Sequence, residues 1–224
     1  PKMAKKAKVK GSQCYLDVAK GATESIQVGD MAFHYEPLNM LDPDKHRFFG
    51  GNHDNYDVIS KCPNALGDYG LVKAGGLDFY YARGGFSIDK MGRLYNEATT
   101  GRKSWWTEEQ LDYSVGMRAL HEYKRICPRF MLSHSCPDEV AKLIGNSAVL
   151  RNFGFDPEEF STVTQKMLQA MLEVHEPEVW VFGHFHMDKV VKVRNTTFIC
   201  VNELQYLNVE KDGSFFNSKG EKLV

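Results

Sequence analysis

Arg47-Phe48-Phe49-Gly50-Gly51-Asn52-His53-Asp54-Asn55 is the stretch on which the reading of this chain turns. A short apolar run stops at two glycines, and the residues that follow supply an amide oxygen, an imidazole and a carboxylate in succession. Apolar runs of this length bounded by Gly and Asn read as buried strands ending in a tight turn. Taken alone, the polar residues fit a Gly-Asn turn that carries a histidine about as well as they fit a reactive site.

Three other segments repeat the pattern. Ser25-Ile26-Gln27-Val28 runs into Gly29-Asp30, Phe130-Met131-Leu132 into Ser133-His134-Ser135, and Val179-Trp180-Val181-Phe182 into Gly183-His184-Phe185-His186. Each is expected to be a strand with a ligating group at its carboxyl end. Singly the signals are weak: Gly-Asp after a strand is a common Asx turn, and a lone histidine at a strand end is usually structural. His184-Phe185-His186 puts two imidazoles on one side of an extended chain, a spacing compatible with zinc, iron, copper or no metal. Together, four strand ends supply the nitrogen and oxygen donors that divalent metals require.

Elsewhere, Phe79 to Ala82 reads as another buried strand. Thr107 to Ile126 reads as a helix opened by a Thr107/Gln110 capping box, Phe160 to His175 as a second, and Pro137 to Leu143 as a shorter one. From Lys189 to Phe216 apolar and polar residues alternate, with Lys211-Asp212-Gly213 as a turn, which predicts a strand meander. Strands separated by helices and then consecutive strands predict an α/β sandwich of two mixed sheets flanked by helices, with its chemistry on loops at one strand edge.

The apolar fraction of 42% over 224 residues is enough for one sizeable core, and no repeat or linker divides the chain, so residues 1–224 are expected to form one domain. A net charge of -1 excludes a general basic surface for nucleic acid or acidic membranes. Lys2, Lys5, Lys6, Lys8 and Lys10 crowd the start and read as a solvated tail over residues 1–10. Cys14, Cys62, Cys127, Cys136 and Cys200 are scattered and odd in number, which argues against a disulfide scaffold and for a reducing, cytoplasmic setting. With neither a signal-peptide core nor a long apolar run, no membrane partner is expected.

In order and spacing, Gly29-Asp30, Gly51-Asn52-His53-Asp54, His134 and Gly183-His184-Phe185-His186 resemble motifs of the calcineurin-like metallophosphoesterase superfamily. Arg83-Gly84-Gly85-Phe86-Ser87-Ile88-Asp89 and Ser104-Trp105-Trp106 add a less specific likeness to its bacterial and phage members. The resemblance spans Ile26 to about Val193 and implies a hydrolase of phosphate esters that uses one or two divalent ions, with manganese, iron or zinc foremost. It implies that Asp30 bridges two metals, that Asn52, His134 and His184 complete one site, and that His186 belongs to the other. It further implies His53 as general acid to a metal-activated water, with Asp54 holding the His53 ring and favouring its protonated form. The implied partner is a phosphate ester, nucleotides included.

The family's first motif, Asp-x-His on the first strand, falls here within Lys8-Val9-Lys10-Gly11-Ser12-Gln13-Cys14-Tyr15, which holds neither residue. Lys8 and Lys10 in ligand positions would each repel a dication by about 8 kcal/mol at ~4 Å and an effective dielectric of ~20. Gln13 could instead offer a neutral oxygen. The gap motivates a rival reading from another class, a binding scaffold that keeps the fold with hydrolysis weakened or lost. Met31-Ala32-Phe33-His34-Tyr35 stands where the Ser/Thr phosphatases of the family carry Asp-Arg-Gly, which favours a small-molecule or nucleotide substrate over a phosphoprotein. Trp105 and Trp106 read as core or staple residues.

Overall fold

The computed structural model describes residues 11–224. Its centre is a six-stranded sheet in the order β3-β4-β5-β6-β8-β7, made of β3 (Tyr69–Ala74), β4 (Leu77–Ala82), β5 (Phe130–Ser133), β6 (Val179–Phe182), β7 (Lys189–Val193) and β8 (Thr196–Cys200). The four inner strands run parallel, and β3 and β7 are antiparallel edges. Inner parallel strands are buried on both faces, which is why β5 and β6 are uninterrupted apolar runs in the sequence.

The pleat sorts their side chains into two cores. Tyr80, Ala82, Met131, Trp180, Phe182 and Phe198 face helices α3 (Tyr113–Ile126), α4 (Asp138–Ile144) and α6 (Val163–Val174), while Phe79, Tyr81, Leu132, Val179, Val181 and Ile199 face the other way. The second face meets a layer of two strand pairs, the parallel β1 (Ser25–Gln27) and β2 (His46–Phe48) and the antiparallel β9 (Leu207–Val209) and β10 (Phe215–Asn217). A third core lies beneath β1 and β2, where Leu16 and Ala19 of α1 (Gly11–Ala19) pack with Met31, Leu38 and Phe48. Helices thus flank a mixed α/β sandwich, as expected, and the smaller layer is two separate pairs rather than one continuous sheet. Helices α2 (Lys90–Thr100) and α5 (Ser147–Asn152) complete the chain.

Two expectations need correction. The stretch in which the first metal motif would lie on a strand is helical from Gly11, and the Lys-rich segment and the side chain of Gln13 fall outside what the structure describes. The helix expected from Thr107 begins at Tyr113, where Asp112 caps it by accepting from the Val115 N–H at 2.9 Å. Thr107 to Glu109 form only a 3-10 turn, because the Glu109 carbonyl accepts the Gly85 N–H at 2.9 Å and Gln110 is extended, accepting instead from Thr164. The true Thr/Gln capping box is Thr162 with Gln165, at the start of α6.

Candidate metal and acid–base site

The carboxyl ends of β1, β2, β5 and β6 meet at one edge, and all four strand-end motifs gather there. Asp30, His184 and His186 all adopt left-handed backbone, at φ 61°, 67° and 53°, which turns the chain sharply off each strand. Close approach also depends on glycine: a Cβ on Gly85 would lie 2.8 Å from His134 Cδ2 and 3.2 Å from Asn52 Oδ1.

The focus is the Asn52 amide oxygen. His134 Nε2 and His184 Nδ1 each lie 2.9 Å from it, and Asp30 Oδ1 lies 3.3 Å from His134 Nε2. His134 Nδ1 is 2.8 Å from the Val28 carbonyl, which can only accept, so the Nδ1 proton is committed and the neutral ring's lone pair sits on Nε2, facing Asn52 and Asp30. Fixing the tautomer through a backbone carbonyl is the usual way a metal-binding imidazole is prepared. His134 Nε2, Asn52 Oδ1 and Asp30 Oδ1 therefore converge, and His184 Nδ1 joins them whenever its ring carries the proton on Nε2, a donor set of one carboxylate, one amide and two imidazoles that suits a single divalent ion. Among the described residues no group of three His, Cys, Asp or Glu side chains alone is placed to hold a metal, so the set depends on the amide oxygen at its centre.

Burial alone would raise the Asp30 carboxyl, but His134, His53 and the His53 N–H, which donates to Oδ1 at 2.8 Å, hold it below the ordinary carboxylate range. His184 keeps some exposure, yet the protein packed around it, and then His134, push its pKa down to about 3. His184 is thus a neutral ring at ordinary pH.

His53 and Asp54 do not form the expected pair. Asp54 is fully buried, with Oδ2 accepting from the Asp30 and Gly51 N–H groups at 2.9 and 2.8 Å and Oδ1 from the Tyr35 hydroxyl at 3.0 Å. Burial and then the Asp30 charge push its carboxyl up to about 8 against those three donors. These bonds tie the loops after β1 and β2 together. The group on the His53 ring is Arg93, whose Nη2 lies 2.6 Å from Nδ1 and 2.7 Å from Nε2. Burial lowers the His53 pKa, Asp30 opposes this, and Arg93 lowers it further, so the ring rests neutral rather than protonated.

Arg93 itself is buried at 8% exposure, paired with Asp89 at 2.9 Å and donating to the backbone carbonyls of Asn52 and Ser104, both at 3.2 Å. Ser87 and Glu109 add a second buried contact to Asn52. Ser87 and Asp89 lie in the segment that carried the weaker family likeness, and the i,i+4 spacing of Asp89 and Arg93 was a readable ion-pair signal; nothing in the sequence marked Glu109. His186 stands apart, more than half exposed and 3.6 Å from Glu203. Trp106 is buried and Lys90 lies over the Trp105 ring at 4.1 Å, in keeping with a packing role.

All five cysteines are free, and no helix among the described residues is long and apolar enough to cross a membrane. No protein-family model matches the chain. No curated protein matches it either. Among solved structures, the chain is similar to the phosphopantetheinyl hydrolase of Mycobacterium tuberculosis, at 12% identity and a TM-score of 0.44, over 80% of this chain and 79% of that one. It is similar to the anchor in the inner membrane complex of Plasmodium at 9% identity and a TM-score of 0.45, over 97% and 84% of the two chains. A 5'-nucleotidase of Staphylococcus aureus aligns at 14% identity and a TM-score of 0.37, over 84% of this chain and 34% of its own. At such distances the functional reading rests on the site itself.

Proposed function

We propose that the chain is a metal-dependent hydrolase of phosphate esters. The observation that carries this reading is the convergence of Asp30 Oδ1, Asn52 Oδ1, His134 Nε2 and His184 Nδ1 at one strand edge, with the His134 tautomer already set. A divalent ion bound there would acidify water and neutralise phosphoryl oxygens. Asp30 supplies the charged ligand, and Asn52, His134 and His184 supply neutral ones. His186 would serve a second ion only if residues outside the described part of the chain contributed to it.

His53 sits beside this set, its backbone N–H on Asp30 and its ring on Arg93. An anionic phosphoryl group arriving there competes for the Arg93 guanidinium and raises the imidazole's affinity for a proton, which His53 then passes to the departing oxygen. Arg93 thereby fills the need for a phosphate-gripping cation left by Met31 to Tyr35. The substrates in view are small phosphomonoesters or phosphodiesters, nucleotides among them.

A second reading, a scaffold that binds without turnover, draws support from the neutral resting state of His53 and the missing first motif. Hydrolysis of a generic phosphomonoester and phosphodiester with added manganese separates the two. Turnover that falls by about 10²–10⁴-fold in His53→Ala, with manganese binding retained, is expected of the enzyme. Manganese binding without hydrolysis of either ester favours the scaffold.

A further inference from the structure

The metal reading requires the Asn52 side chain to present its oxygen, not its nitrogen, to the two imidazoles. In the protein without its ion that orientation is the unfavourable one toward His134, whose Nδ1 proton is committed to Val28. The His134 Nε2 lone pair would rather receive an N–H than face another lone pair, and a rotated amide would supply it. Something on the other side of Asn52 must hold the amide the right way round.

The hydrogen bonds behind Asn52 identify it. Asn52 Nδ2 donates to Ser87 Oγ at 3.1 Å. The Ser87 hydroxyl lies 2.8 Å from Glu109 Oε2 and the Ser87 N–H 3.0 Å from Glu109 Oε1, so one carboxylate takes both donors of one residue. All three side chains are buried, with Glu109 at 2% exposure and Ser87 at 1%, and water does not compete. With its only proton committed to a carboxylate, Ser87 Oγ can act toward Asn52 only as an acceptor. Rotation of the amide would set Asn52 Oδ1 against that oxygen, or would pull the hydroxyl proton off the buried carboxylate. Turning the amide would disrupt the pair of contacts that Glu109 makes with one residue to gain a single contact at His134, so the Glu109 end prevails over the imidazole end.

We infer that Glu109 and Ser87 are positioning residues that fix the polarity of the Asn52 amide and so create the metal site before any ion arrives. The inference deepens the metal-dependent reading and rests on it, but the orientation of Asn52 can be measured without an ion.

Glu109→Gln is the informative change because it keeps the shape and inverts the polarity. Its single oxygen is required by the buried Ser87 N–H, so its amide nitrogen faces Ser87 Oγ and donates. The Ser87 proton is then free to turn toward Asn52, and the Asn52 amide rotates. Manganese titration by calorimetry is expected to show a loss of about 10–100-fold in affinity for Glu109→Gln, in the range found for outer residues that orient metal ligands. Ser87→Ala, which removes the constraint without reversing it, should lose less. Adding Asn52→Asp to Glu109→Gln should recover most of the loss, since a carboxylate has an oxygen on both sides. Parent-like affinity in Glu109→Gln, or no recovery in the double variant, overturns the inference.

In the metal-free protein, the Asn52 side-chain amide protons should show nuclear Overhauser contacts to the Ser87 β-protons in the parent and to the His134 and His184 ring protons in Glu109→Gln. A parent that binds no manganese overturns the metal reading. The contacts then decide the inference by themselves: those to Ser87 support it, and those to the rings in the parent overturn it.

Discussion

Asp54 shows how a residue can be recognised from its motif and still be assigned the wrong hydrogen-bond partner. Gly51 to Asp54 is legible because its four residues are contiguous, but the direction in which each side chain points is settled by groups far away in sequence. Tyr35 takes one Asp54 oxygen and also accepts the Asn55 N–H at 2.9 Å, so a single hydroxyl ties the loop after β2 to the turn after β1. Tyr35→Phe keeps the ring packing against Phe48 and strands a buried carboxyl oxygen and a partly buried N–H. The expected cost is about 1–3 kcal/mol, read as a lower denaturation midpoint at unchanged slope. A change below about 0.5 kcal/mol, the range of an ordinary surface substitution, would mean that Tyr35 does not help tie these loops together. Arg93 escaped the sequence reading for the same reason: its partners Asn52 and His53 lie some 40 residues upstream, and only its local partner Asp89 was in view.

Among the elements, the strands that end in ligands were the readable ones. β5 and β6 are covered on both faces and need continuous apolar residues, whereas β3 is an antiparallel edge with only Val72 buried and has no such signature. Helix starts were ambiguous, since Thr107-x-x-Gln110 and Thr162-x-x-Gln165 spell the same capping box. The difference is tertiary: Glu109 is bound through its carbonyl to Gly85 and through its carboxylate to Ser87, which holds the chain extended at Gln110. At α6 nothing competes, and Thr162 Oγ1 accepts the Gln165 N–H at 3.1 Å while Gln165 Oε1 accepts the Thr162 N–H at 2.9 Å. Thr162→Ala is expected to destabilise the protein by about 1 kcal/mol, whereas Thr107→Ala should be near neutral. Equal effects in thermal melts would contradict the assignment of the two caps.

For the whole molecule, the layer order follows from alternation along the inner strands, and the edge that carries the site follows from their parallel direction. What the sequence could not show is that the smaller layer is divided, because three-residue strands such as β1 and β9 carry too little pattern to reveal their partners. The four converging donors are also divided between layers: Asp30 and Asn52 follow β1 and β2, while His134 and His184 follow β5 and β6. An ion held by all four would therefore be a rivet through the sandwich, fastening two layers already joined by side-chain packing and by hydrogen bonds such as His134 to Val28 and Gly84 to Gly50. Manganese at 100 times its dissociation constant should add about 2.7 kcal/mol to stability, a rise of about 5–10 °C in Tm for a chain of this size, reversed by chelator. Amide exchange should slow together at Ile26 to Val28 and at Phe130 to Ser133, and protection confined to one of these would show the ion bound to one layer alone. Occupancy of the site would then set how long the two halves of the fold stay closed, making the supply of metal a determinant of the protein's lifetime as well as of its chemistry.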